Sequence, residues 1–189
     1  MSLARFLVSA AAAAALAWPA GAAITVIGDS SARICYEIAE SKLKPNGTDI
    51  ARCDTALEDE PISRQDMVAT FVNRGILKFR MGRFEDAIAD YDRALERDSE
   101  EPEAYLNKGM ATLNWPELYE EALRLFDTAI QKGTRKPEIA YYGRAVANER
   151  LGRVKAAYDD YMEASRLAPD WEPPRAELTR FTVRGGVNS

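Results

Sequence analysis

Histidine is absent from all 189 residues. That absence removes Ser-His-Asp and Cys-His catalysis, imidazole proton shuttling and the commonest zinc ligand. Cysteine occurs only at Cys35 and Cys53, and their spacing is not the Cys-x-x-Cys of a redox pair. There is no block of basic charge. Lys and Arg number 25 against 30 Asp and Glu, for a formal net charge of −5. A mildly acidic chain of this kind argues against nucleic acid and anionic lipid as partners. A Gly-rich phosphate loop is missing too, so no cofactor is expected. Long apolar runs are lacking everywhere except at the start.

That start reads MSLARFLVSAAAAAALAWPAGAAITV, with Arg5 the only charge in the first 28 residues. A charged n-region, an apolar stretch to about Trp18 and small residues at Ala20 to Ala23 are the parts of a secretory signal peptide. Pro19 and Gly21 cut the run short of the ~20 residues a membrane span needs. Residues 1–22 are therefore read as a leader cleaved after Ala22 or Ala23. The expected location is periplasmic or secreted, with no integral span after cleavage.

What is present in abundance is repetition. Phe71 to Leu95, Tyr105 to Ile130 and Tyr141 to Ser165 follow one pattern. Ala87, Ala122 and Ala157 share a slot, each 35 residues after the last. Tyr91, Phe126 and Tyr161 share a second slot, and Ala94, Ala129 and Ala164 a third. Each unit is two apolar-periodic runs split by a short turn, at Met81-Gly82-Arg83, at Trp115-Pro116-Glu117 and around Gly152. A fixed period in this range means stacked supersecondary units. Small residues at Gly75, Gly109 and Ala145 suit close helix crossings, and the aromatic slots suit core wedges. Acidic pairs such as Asp90/Asp92 and Asp159/Asp160 read as a solvated helix face.

These residues carry a resemblance to the tetratricopeptide repeat, a 34-residue helix–turn–helix unit with an early aromatic, Gly, then Ala, aromatic, Ala and Pro. Phe71, Tyr105 and Tyr141 are the early aromatics, and Pro169 closes the third unit. Ala145 replaces Gly in the third unit, and Val154 replaces the aromatic supplied by Phe84 and Tyr119. The resemblance implies an all-α, right-handed superhelical solenoid of antiparallel helix pairs. Three units are expected at 68–101, 102–136 and 137–171, within 63–171. A degenerate N-terminal pair is expected over 23–62, a capping helix over 172–184 with Leu178 and Phe181 inward, and a disordered tail over 185–189.

In the degenerate pair, register puts Cys53 in the slot of Tyr91. With a turn two residues longer than in the second helical pair, Cys35 takes the slot of Gly75. A Cys35–Cys53 bridge is the expectation, with two buried thiols as the bland alternative. ITVIGDSS (Ile24 to Ser31) is similar to the first block of GDS-type esterases, but the missing His leaves its serine without a base. Ser30 reads as a helix N-cap.

The resemblance also implies where binding happens. The first helix of each unit lines a concave groove that takes peptides or partner helices. The positions around the small residue project into it, which selects Asn73, Asn107, Arg80, Tyr142 and Arg150. An Asn amide offers a donor and an acceptor to a peptide backbone, and Arg80 and Arg150 could meet a carboxylate. This is loosely similar to the carboxylate clamp of chaperone-binding members, although the full Lys/Asn/Arg set is not matched. The expectation is a non-catalytic protein-interaction module with a protein or peptide partner in the cell envelope. The alternative is a structural or self-associating subunit that uses the solenoid edge and forms oligomers.

Overall fold

The computed structural model describes residues 5–8, 22–26, 30–41 and 43–184. The remainder of the expected leader and the tail 185–189 lie outside the described residues. Among the described residues nine α-helices follow one another: α1 (Ser31–Glu40), α2 (Gly47–Glu58), α3 (Arg64–Arg80), α4 (Phe84–Arg97), α5 (Pro102–Thr112), α6 (Tyr119–Gln131), α7 (Pro137–Arg150), α8 (Val154–Leu167) and α9 (Glu172–Leu178). A single 3₁₀ turn, Pro116–Leu118, precedes α6. Each helix packs against its neighbour in sequence, and α3, α5 and α7 also touch one another in series. This is a solenoid of antiparallel pairs, α3/α4, α5/α6 and α7/α8, with α1/α2 docked on α3.

The turns explain the glycines. Gly82 and Gly152 have φ of 78° and 74°, a left-handed backbone that glycine adopts without a Cβ penalty. At the end of α3 the Gly82 N–H donates to Phe79 O and the Arg83 N–H to Lys78 O, both at 2.9 Å. These are the two bonds of a Schellman cap, and they reverse the chain into α4. The second unit lacks that glycine and breaks at Pro116 instead, which cannot sit inside a helix.

Packing follows the repeated slots. Tyr91, Phe126 and Tyr161 are buried, as are Ala87, Ala122 and Ala157. A Cβ on Gly109 would lie 2.9 Å from the Phe126 ring, and one on Gly143 would overlap the same ring. Phe126 is therefore wedged between α5 and α7, which joins the second unit to the third. Tyr91 fills the matching space over Gly75.

The structure differs from the expectation in two places. The capping helix stops at Leu178, not at residue 184. Thr179 ends it, donating its hydroxyl to Ala176 O at 2.7 Å. Phe181–Arg184 is instead a short strand, β2, paired antiparallel with Arg5–Val8, β1, which lies within the expected leader, so the pairing belongs to the uncleaved chain. Phe181 still faces inward, 5.7 Å from Tyr158 and 5.9 Å from Tyr161 between ring centres. β-Branched Thr182 and Val183 favour the extended form once a partner strand is at hand. Secondly, Asp90 and Asp160 are buried, not solvated. Arg74 grips Asp90 with two bonds, at 2.6 and 2.9 Å, and Arg144 grips Asp160 in the same way at 2.6 and 3.0 Å. Each arginine reaches a second aspartate, Asp54 or Asp127, on the second helix of the preceding pair. These arginines thereby link each pair of helices to the one before it.

At the N-terminal end Cys35 and Cys53 form a disulfide, with Cα atoms 5.0 Å apart. It joins α1 to α2, and both residues are fully buried. Ser30 caps α1, its hydroxyl accepting from the Arg33 N–H at 3.3 Å. Among the described residues no helix is long and apolar enough to cross a membrane.

Candidate functional site

The groove face of α3 and α5 is already covered, and the cover is the chain itself. Residues 22–26, outside any helix or strand, lie across it. Asn73, on α3, is fully buried. Its Oδ1 accepts from the Ile24 N–H and its Nδ2 donates to the Ile24 carbonyl, both at 2.8 Å. One amide side chain thus closes a ring with the main chain of one residue, using both its donor and its acceptor. Asn107, on α5, donates to the Ala22 carbonyl at 3.2 Å and to Glu103 O, one turn back, at 2.8 Å.

A third contact comes from the loop between α6 and α7. Arg135 donates through Nη2 to the Ala23 carbonyl at 3.0 Å. Its orientation is set by Glu103, whose Oε1 accepts from Arg135 Nε at 3.1 Å and from its backbone N–H at 2.8 Å. Glu103 is buried at the start of α5, where an acid also suits the positive end of the helix. Burial, with the Glu103 carboxylate beside it, pushes the neighbouring Glu101 up to about 7. Ala22, Ala23 and Val26 are all buried. Ala22 joins the core around Leu106 and Phe126, and Val26 joins Ala32, Ala56 and Ala69 at the other end.

Of the five groove residues expected from sequence, Asn73 and Asn107 come together on one bound segment. Arg80 does not join them. It donates through Nη1 to Ala39 O at 3.2 Å and through Nη2 to Leu43 O, so it ties down the end of α1. Tyr142 is buried between Trp171, at 5.1 Å, and Tyr161, at 5.5 Å. That burial raises its hydroxyl pKa well above the ordinary tyrosine range. Its place is in the wall, not on the groove surface. Arg150 is exposed in the last turn of α7, apart from the segment. Sequence reasoning missed Arg135 and Glu103. They lie 32 residues apart, and neither occupies a repeated slot that would mark it. Among the described residues no group of three or more His, Cys, Asp or Glu is placed to hold a metal ion.

Paired helices, glycine-cut turns and aromatic wedges define a helical-repeat scaffold, and one face of its α3 and α5 holds residues 22–24. Tetratricopeptide repeat models match residues 68–101 and 117–170. The chain is a tetratricopeptide repeat protein. Solved structures agree. The second such domain of human RPAP3, in complex with the HSP70 peptide SGPTIEEVD, is 26% identical with a TM-score of 0.56, over 62% of this chain and 96% of that one. YrrB, described as having an unusual peptide-binding site, is 25% identical with a TM-score of 0.57, over 67% of this chain and 62% of that one. A MamA fragment from Desulfovibrio magneticus RS-1 shares the fold at 17% identity, with a TM-score of 0.61 over 81% of this chain and 84% of that one. No curated protein matches the sequence.

Proposed function

We propose that this protein is a non-catalytic adaptor of the bacterial periplasm that binds a partner protein through an extended peptide in its concave groove. The observation that carries the reading is the Asn73 amide, which holds both main-chain groups of Ile24. A site that grips a peptide backbone in this way binds by conformation and needs no reaction chemistry. The solved relatives that carry peptides support the same use of the fold. Export is supported by the leader-like composition of residues 1–22 and by a disulfide, which persists in oxidising compartments. Self-association through the solenoid edge is the competing reading. Exposed Ile34, Leu43 and Met162 are spread over α1, the loop after it and α8, and form no single patch.

The test is co-purification from envelope extracts with the native chain and with Asn73→Ala/Asn107→Ala. Partners of the groove are expected to drop at least tenfold in the double variant. An unchanged partner list would remove the groove assignment, and a concentration-dependent rise in mass by light scattering would favour the edge.

A further inference from the structure

We infer that residues 22–26 are a built-in competitor for the groove, and that the external ligand they mimic is an extended peptide of small and β-branched residues read through its main chain. The inference rests on the groove reading above and adds the ligand class and its regulation.

The bonding pattern sets the class. In the uncleaved chain three successive carbonyls, of Ala22, Ala23 and Ile24, each accept from a side chain of the array: Asn107, Arg135 and Asn73. Leader removal after Ala22 takes the first, removal after Ala23 the second as well, and either leaves the Asn73 contacts with Ile24. The Ile24 N–H donates back to Asn73. All four bonds go to backbone atoms, so they demand a main chain whose N–H and C=O groups are free of helix or sheet pairing, and they are indifferent to side-chain polarity. Side-chain size is what the walls select. Ala22 and Ala23 are buried, Arg135 holds the Ala23 carbonyl, and a β-branched residue follows at Ile24. An acidic C-terminus is not what this groove is arranged to take. Arg80 is spent on the carbonyls that end α1, and Arg135 is anchored by Glu103.

The tether makes the segment a competitor. Only a few residues separate Val26 from Ser30, the cap of α1. A ligand joined by so short a linker acts at an effective concentration in the millimolar range. A free peptide making the same four bonds must overcome that advantage, so the groove opens only to a tighter ligand or when the segment is withdrawn.

The experiment uses the full chain and an acetylated, fluorescein-labelled peptide AGAAITVI, the sequence of residues 20–27. Ile24→Pro removes the N–H that Asn73 accepts and is expected to raise peptide affinity at least tenfold over the native chain. Adding Asn73→Ala to Ile24→Pro is expected to abolish that gain. So is methylating the isoleucine nitrogen of the peptide. Ala23→Glu, which puts bulk and charge into a buried position, is a second route to the open groove. Amide exchange at Ile24 is expected to be slow in the native chain and fast in Asn73→Ala.

Peptide binding no tighter in Ile24→Pro and Ala23→Glu than in the native chain, or undisturbed by N-methylation, would overturn the inference. If the open variants bind an acidic-tailed peptide such as SGPTIEEVD but not AGAAITVI, the groove reading stands and this ligand class falls. If no variant binds either peptide, both fall.

Discussion

Asp90 and Asp92 stand two residues apart on α4 in different electrostatic surroundings. The Asp90 side chain is 1% exposed and meets Arg74 and Lys78, while that of Asp92 is 46% exposed and meets Lys108. Removing one partner of a buried ion pair leaves a charge without compensation and costs about 3–5 kcal/mol. An exposed pair contributes less than about 1 kcal/mol. Asp90→Asn is therefore expected to lower the unfolding free energy by at least about 3 kcal/mol in urea, and Asp92→Asn by under about 1 kcal/mol. Equal losses would mean that the Arg74 network adds nothing. Glu101 makes a second prediction at this scale. Its folded pKa is raised to about 7 by burial beside Glu103, whose own carboxylate holds Arg135. A raised acid favours the protonated form, so its contribution is complete below the ordinary carboxylate pKa and is lost as pH climbs through about 7. Glu101→Gln is expected to flatten that slope, so that the urea midpoint at pH 8 rises relative to the native chain. An unchanged midpoint–pH profile would count against it. Neither behaviour is legible in sequence. Asp90 and Asp92 are the same residue type on the same helix, and only the arrival of Arg74 from α3 separates them.

At the scale of elements, the helix pairs are set by what they omit. Phe126 sits between Gly109 on α5 and Gly143 on α7, so the ring has no side to which it can retreat. Replacing glycine by alanine inside a helix gains about 1 kcal/mol of propensity. Overpacking a filled contact costs about 1–3 kcal/mol. Gly109→Ala is expected to be destabilising by about 1 kcal/mol net in chemical denaturation, despite the better helix former. Gly47→Ala, at the open start of α2 with nothing within 4 Å of the added Cβ, is expected to be neutral or to gain up to about 1 kcal/mol. A stabilised Gly109→Ala would show that the ring yields. These elements were readable in advance because turn glycines, helix-breaking Pro116 and the Ala/aromatic/Ala slots are local signals at a fixed period. The end of α9 was not. Leu178 and Phe181 have helical spacing, yet the choice of strand at Phe181–Arg184 goes with pairing to Arg5–Val8, more than 170 residues away in sequence.

Among the described residues, contacts run mainly between neighbours in series, and residues 22–24 and β1 cross them. An array of this kind is close to one-dimensional, so damage at one end stays local. Reducing Cys35–Cys53 releases a loop closure worth about 3 kcal/mol on the chain-entropy model. Amides of α1 and α2 are expected to exchange at least tenfold faster after reduction, with those of α7 and α8 unchanged. Uniform acceleration along the chain would mean that the solenoid unfolds as one unit. The sequence by itself determined the repeat, its turns and its packing slots, because these depend on residues within one unit or on the unit beside it. The resemblance to the tetratricopeptide repeat also put Asn73 and Asn107 among the expected groove residues, and the structure sets both against residues 22–24. The tertiary structure decided what fills the groove, which arginine serves it and which guards a helix end. Those outcomes depend on segments far apart in the chain, Ile24 on Asn73 and Ala23 on Arg135, and no local pattern encodes a meeting over that distance.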